Sequence, residues 1–95
     1  MADVMSSDLL AGFVGQVVVL DLQSPYVCLG KLVGCDALYL ELTDADLHDF
    51  RDSQGTRELY VYDSARFGVR RNRARVMVAR SEVVAITRLT DVAES

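Results

Sequence analysis

A chain of 95 residues, 51% hydrophobic and 25% charged, is long enough for one domain and too apolar for a disordered segment. Its net charge of −4 excludes a whole-molecule attraction to nucleic acid or anionic membrane, so any such binding has to come from a local patch. Apolar runs such as Val17 to Leu20 fall far short of the ~20 residues that cross a bilayer, and the acidic start MADVMSSDLL lacks the basic region of a secretory signal.

In chain order, residues 5–13 (MSSDLLAGF) read as a short helix. Ser6 or Ser7 caps it, Leu9, Leu10 and Phe13 give it an apolar side, and Gly15 ends it. The period then changes from helix to strand. Val18, Leu20 and Leu22 form the core face of a first strand, with Val17, Val19 and Asp21 between them. QSPY at 23–26 is a turn set by Pro25. Cys28, Gly30 and Leu32 continue the alternation in a second strand, residues 34–37 bend, and Leu38, Leu40 and Leu42 define a third. Three short strands joined by tight turns predict a meander and a small barrel. The polar stretch 44–55 predicts a loop. Residues 56–67 (TRELYVYDSARF) are open between helix and strand. The helical reading puts Leu59, Tyr62 and Arg66 on one face with Gly68 as C-cap, while LYVY has strong β-propensity. RVMVAR (75–80) and EVVAITRL (82–89) predict two further strands around a tight turn, with the tail DVAES fraying.

Cys28 and Cys35 stand seven apart on one expected strand. An odd spacing points them to opposite faces, so both are expected reduced, in a cytoplasmic protein. With His48 they give three metal-ligand candidates without CxxC or HxxxH spacing, so no metal and no cofactor is expected. No GxSxG, P-loop, GxGxxG or HExxH pattern occurs, and the acids around His48 have no nucleophile beside them. The chain therefore reads as non-enzymatic.

Helix, meander, insert and final hairpin follow the order of elements in the Sm-like (LSm) family. That family's first motif runs roughly G-x-x-V-x-V-x-L and then, six residues on, an apolar position, x, G-x-L and an Asp. Gly15, Val18, Leu20 and Leu22 fit its first part, and Cys28, Gly30, Leu32 and Asp36 its second. With one residue deleted, Leu38, Leu42 and Asp44 fill the later positions. VARSEVVAI (78–86) matches the apolar frame of the second motif, I-R-G-x-x-I-x-x-I, at Val78, Val83 and Ile86. The chain thus resembles a divergent Sm-like protein. The resemblance implies a mostly β, strongly bent, five-stranded open barrel of the SH3-like type over 1–95. It would comprise a helix (5–13), a first motif region (16–43), a helical or irregular insert (44–74) and a second-motif hairpin (75–89).

The resemblance also implies a hexameric or heptameric homo-oligomeric ring, closed by the fourth strand of one subunit against the fifth of the next. Val76, Val78, Val84 and Ile86 are its interface candidates. The implied ligand is single-stranded RNA, at Asp36, Tyr39, Arg70, Arg71, Arg73 and Arg80. The family's uridine contacts come from an Asp, a stacking side chain and an Asn in the loop after the second strand, and from the Arg-Gly of the second motif. Here Asp36 is present, Tyr39 or Leu40 stands for the Asn, and Ala79-Arg80 replaces Arg-Gly. Each candidate has a plainer reading. Asp36 closes an Asx-type turn. Tyr39 is a half-buried strand residue. The arginines pair with carboxylates, since Glu41, Asp44, Asp46, Asp49 and Asp52 on one limb of the insert face Arg66, Arg70, Arg71, Arg73 and Arg75 on the other. The alternative function is an oligomeric scaffold that keeps the assembly, binds protein partners and does not bind RNA.

Overall fold

The computed structural model describes residues 9–49, 51 and 56–93. Five strands, β1 (Val17–Leu22), β2 (Tyr26–Cys35), β3 (Tyr39–Asp49), β4 (Arg73–Ala79) and β5 (Val83–Arg88), form one antiparallel sheet in the order β4-β3-β2-β1-β5. One helix, α1 (Arg57–Phe67), interrupts them between β3 and β4. Residues 9–11 are helical and 12–15 turn into β1, with Gly15 at φ 89°. The expected helix residues 5–8 lie outside the described residues.

Valines and leucines start the sheet because β-branched and apolar side chains pack well on a pleated surface. Val18, Leu20 and Leu22 of β1 enter the main core with Cys28, Leu32, Leu40, Leu42, Ala45 and Val78, and Leu10 and Phe13 pack against it. The opposite face is not left to solvent. Val19, Val27 and Leu29 are buried in a second cluster, under Tyr60 and Val61 of α1, Val69, Leu89 and Val92. Val92 thereby anchors the tail that was expected to fray from Asp91.

Two bulges bend the β2–β3 ladder. Asp44, at φ 50°, supplies an extra residue on β3, and the register shifts again around Val33 of β2. Gly30 makes the first bend possible. A Cβ there would lie 2.9 Å from the Ala45 Cβ and 3.0 Å from its Cα, so the strands approach to a distance that excludes a side chain. Strand β3 therefore runs on through 44–49, where a loop was expected. Ala45 and Leu47 pack on the main core and Asp46 is held by side chains across the sheet, so tertiary contacts outweigh the polar composition.

The insert segment 57–67 is a helix. The Thr56 hydroxyl accepts the Leu59 N–H, and Gly68 at φ 99° closes it with an N–H to the Ser64 carbonyl. Its inward residues are Tyr60, Val61 and Ser64 rather than Leu59 and Tyr62. Leu59 is exposed, because the helix is oriented by the contact between Tyr60 and Asp46. The 75–89 segment is also not a hairpin. β4 pairs with β3 and β5 with β1, so a turn at Arg80–Glu82 carries the chain from one edge of the sheet to the other.

Candidate nucleic-acid interface

The bend between β2 and β3 is organised by Asp36. Its Oδ1 accepts the N–H groups of Leu38 and Tyr39, each at 2.8 Å, and its own N–H donates to the Tyr39 carbonyl at 2.9 Å. These donors, first Tyr39 and then Leu38, hold the carboxyl below its ordinary value. This is the Asx-type turn, and it aims Leu38 (69% exposed) and Tyr39 (42% exposed) outward. Arg80, in the turn between β4 and β5, comes to the same place. Its N–H donates to the Leu38 carbonyl at 2.8 Å and its guanidinium to the Asp36 carbonyl at 2.6 Å. Arg80 also lines an apolar cavity of about 420 Å³ with Leu9, Leu10, Phe13, Leu40 and Ile86. Asp36, Tyr39 and Arg80, 44 residues apart in sequence at the extremes, thus meet at one end of the sheet.

Arg70, Arg71 and Arg73 do not join them. Tyr39 pairs with Ala79 and Ala45 with Arg73, six residues further along β3. At ~3.3 Å per strand residue the two groups lie about 20 Å apart. The acid–arginine pairing across the insert holds in part. Arg71 meets Asp44 at 2.7 Å and Arg75 meets Glu41, both on the surface. Asp49 turns instead to Arg51 at 2.7 Å, and Arg66 lies over the Tyr62 and Phe67 rings. Arg70 and Arg73 make no ion pair among the described residues, and Asp52 lies outside them.

Asp46 is buried, and its partners are polar neutral groups: the Tyr60 hydroxyl and the Asn72 amide at 3.1 Å. Burial pushes its pKa up, with His48 and Arg70 opposing. His48 stacks on Tyr60, ring centroids 4.1 Å apart. Asn72 binds the β3 backbone at Ala45 and Leu47 as well. Sequence reasoning overlooked Tyr60 and Asn72. The signal available was a lone Asn inside an arginine run, a residue type that satisfies donors and acceptors at once. The interface candidates divide between core and surface. On β4, alternation buries Val78 in the chain's own core and packs Val76 against it, whereas on β5 a register shift opposite Asp21 and Leu22 leaves Val84 unpaired and turns Val83 and Ile86 onto the core. Val84 (67% exposed) and Met77 (56% exposed) face out, and among the described residues no strand pairs with the outer edge of β4 or β5.

No protein-family model and no curated protein matches the sequence. Among solved structures, the Sm protein of Pyrococcus abyssii in complex with a uridine heptamer is similar at a TM-score of 0.59 and 20% identity, over 85% of this chain and 93% of that one. The chain has the Sm-like fold. Within that fold, α1 forms a helical insert between β3 and β4, and no helix among the described residues is long and apolar enough to cross a membrane.

Proposed function

We propose that this chain is a subunit of a non-catalytic Sm-like ring that binds single-stranded RNA at the end of the sheet carrying Asp36, Tyr39 and Arg80. One contact carries the reading. The Arg80 guanidinium on the Asp36 carbonyl holds the two turns together beside an exposed tyrosine ring. In the family this chain resembles, those turns hold uridine, and the similar solved structure contains a uridine heptamer. Asp36 shapes the turn, since its Oδ1 is occupied by two backbone donors. Tyr39 offers the stacking face and Arg80 a positive charge. Stacking tolerates every base, so losing the family's Asn leaves a weaker preference for uridine than an intact pocket would give. Arg70 and Arg73 add phosphate contacts at the far end of the sheet, whereas Arg71 is neutralised by Asp44.

The ring itself would form through the outer edges of β4 and β5, with Met77 and Val84 between subunits and Val76, Val78 and Ile86 fixing each strand to its own core. An uncapped sheet edge is a ready template for pairing. A hexamer or heptamer follows from the resemblance, and light scattering at micromolar concentration reads it directly.

A second reading, a scaffold that assembles without RNA, is favoured by the pairing of Arg71 and Arg75 with carboxylates, which lowers the positive potential an RNA would meet. Anisotropy titrations of labelled U-rich and A-rich oligomers at low salt separate the two. Binding that weakens steeply with salt supports the RNA subunit. No binding, with protein partners recovered in a pull-down, supports the scaffold.

A further inference from the structure

Residues Tyr60, Asp63, Ser64 and Phe67 follow one another at i, i+3, i+4 and i+7 and so share one side of α1. Together with Gly68 and Arg70 they line a cavity of about 260 Å³. Its floor is fixed. The Tyr60 hydroxyl is held by Asp46, and the Ser64 hydroxyl donates to the Tyr60 carbonyl at 3.0 Å. One wall is bare backbone, since nothing lies within 4 Å of where a Gly68 Cβ would stand. The rim carries three exposed groups, of which Arg70 is also a proposed phosphate contact for RNA. Phe67 is 76% exposed, with the Arg66 guanidinium over its ring at 5.1 Å, and Asp63 and Arg70 make no ion pair among the described residues.

We propose that this cavity is a guanine-nucleotide subsite, separate from the Tyr39 end. Its volume lies below the ~300–1,000 Å³ of pockets that enclose drug-sized ligands, and suits one base. Exposed aromatic rings and guanidinium planes are the surfaces on which unpaired bases stack, while polar groups read their Watson–Crick edges. A carboxylate only accepts hydrogen bonds, through two oxygens side by side. Guanine is the base that presents two adjacent donors, N1–H and the N2 amino group, to such a pair. Uracil presents one N–H between two carbonyl oxygens, which a carboxylate repels. Cytosine and adenine each offer one amino group beside a ring acceptor. Asp63 is therefore the selecting group, Phe67 the stacking surface, and Arg70 the counter-charge for the attached phosphate.

The test is a titration of the full chain with the 5′-monophosphates of guanosine, adenosine, cytidine and uridine, followed by amide shifts in 15N–1H spectra. Guanosine monophosphate is expected to move the Gly68 and Arg70 amides saturably, and the other three to bind at least about tenfold more weakly. Asp63→Asn should abolish that preference while leaving the remaining spectrum in place, because Asp63 is exposed. Phe67→Ala should weaken binding roughly 5- to 150-fold. No shift with millimolar guanosine monophosphate, an equal response to all four nucleotides, or an unchanged response in Asp63→Asn overturns the proposal. So does a Phe67→Ala variant that alters the oligomer's mass and leaves the nucleotide response intact, since the ring would then belong to a protein contact. Failure of RNA binding at the other end appears separately, at the Tyr39 amide.

Discussion

Asp46 and Asp36 show how one residue type takes opposite roles in the same sheet. Asp46 is buried, and its charge is tolerated because Tyr60 and Asn72 donate to it. Removing one donor leaves a buried carboxylate short of partners, which costs about 1–3 kcal/mol. Tyr60→Phe should lower the unfolding free energy by that amount in a urea titration, with the slope unchanged. The two carboxyls should also separate in a carbon-detected pH titration, Asp36 below the ordinary value of 3.8 and Asp46 above it. The consequences for stability have opposite sign. Asp36 stabilises the fold above its unfolded pKa, and this is lost as pH falls through its lower folded value. Ionised Asp46 penalises the fold, and protonation relieves the penalty as pH falls through its raised folded value. The cysteines divide as sharply. Burial, with Asp46 adding and Arg73 opposing, pushes the Cys28 thiol up to about 12, whereas Cys35 is exposed at the end of β2. A thiol reagent should modify one cysteine in the folded protein and the second only after denaturation.

At the scale of elements, the strand–turn–strand meander was legible because its alternation of apolar and polar residues is local. So was the C-cap of α1, since Gly68 acts within one turn of the helix. What was not legible depends on distant partners. β3 continues past Thr43 because Gly30 and Ala45 touch across the ladder and Asn72 ties down the strand's far half. α1 turns Tyr60 inward because a carboxylate on β3 waits for it. The expected terminal hairpin failed for the same reason. Two neighbouring β-rich segments paired with β3 and β1, a choice made by the sheet rather than by the turn. At the candidate RNA site, the turn chemistry of Asp36 was readable from sequence. The reach of Arg80 back to Asp36, and the separation of the Arg70–Arg73 run from both, were not. The Gly30 contact makes its own prediction. Gly30→Ala forces a methyl group onto Ala45 backbone and should cost about 1–3 kcal/mol in a denaturation experiment.

For the molecule as a whole, the insert acts as a second layer. It covers the outer face of β1 and β2 with Tyr60, Val61 and Val69, while Leu89 and Val92 return from the other end of the chain to the same cluster. This arrangement leaves the outer edges of β4 and β5 without a strand partner among the described residues, open to the assembly proposed above. Because the molecule is acidic on balance, the proposed RNA binding calls for stacking as well as charge. The most direct test compares a labelled U-rich oligomer binding to the native chain and to Tyr39→Ala by anisotropy, at low and at moderate salt. The account predicts salt-sensitive binding by the native chain, roughly 5- to 150-fold weaker in the variant at an unchanged oligomer mass. Absence of binding at low salt, or equal affinity in the two proteins, would contradict it.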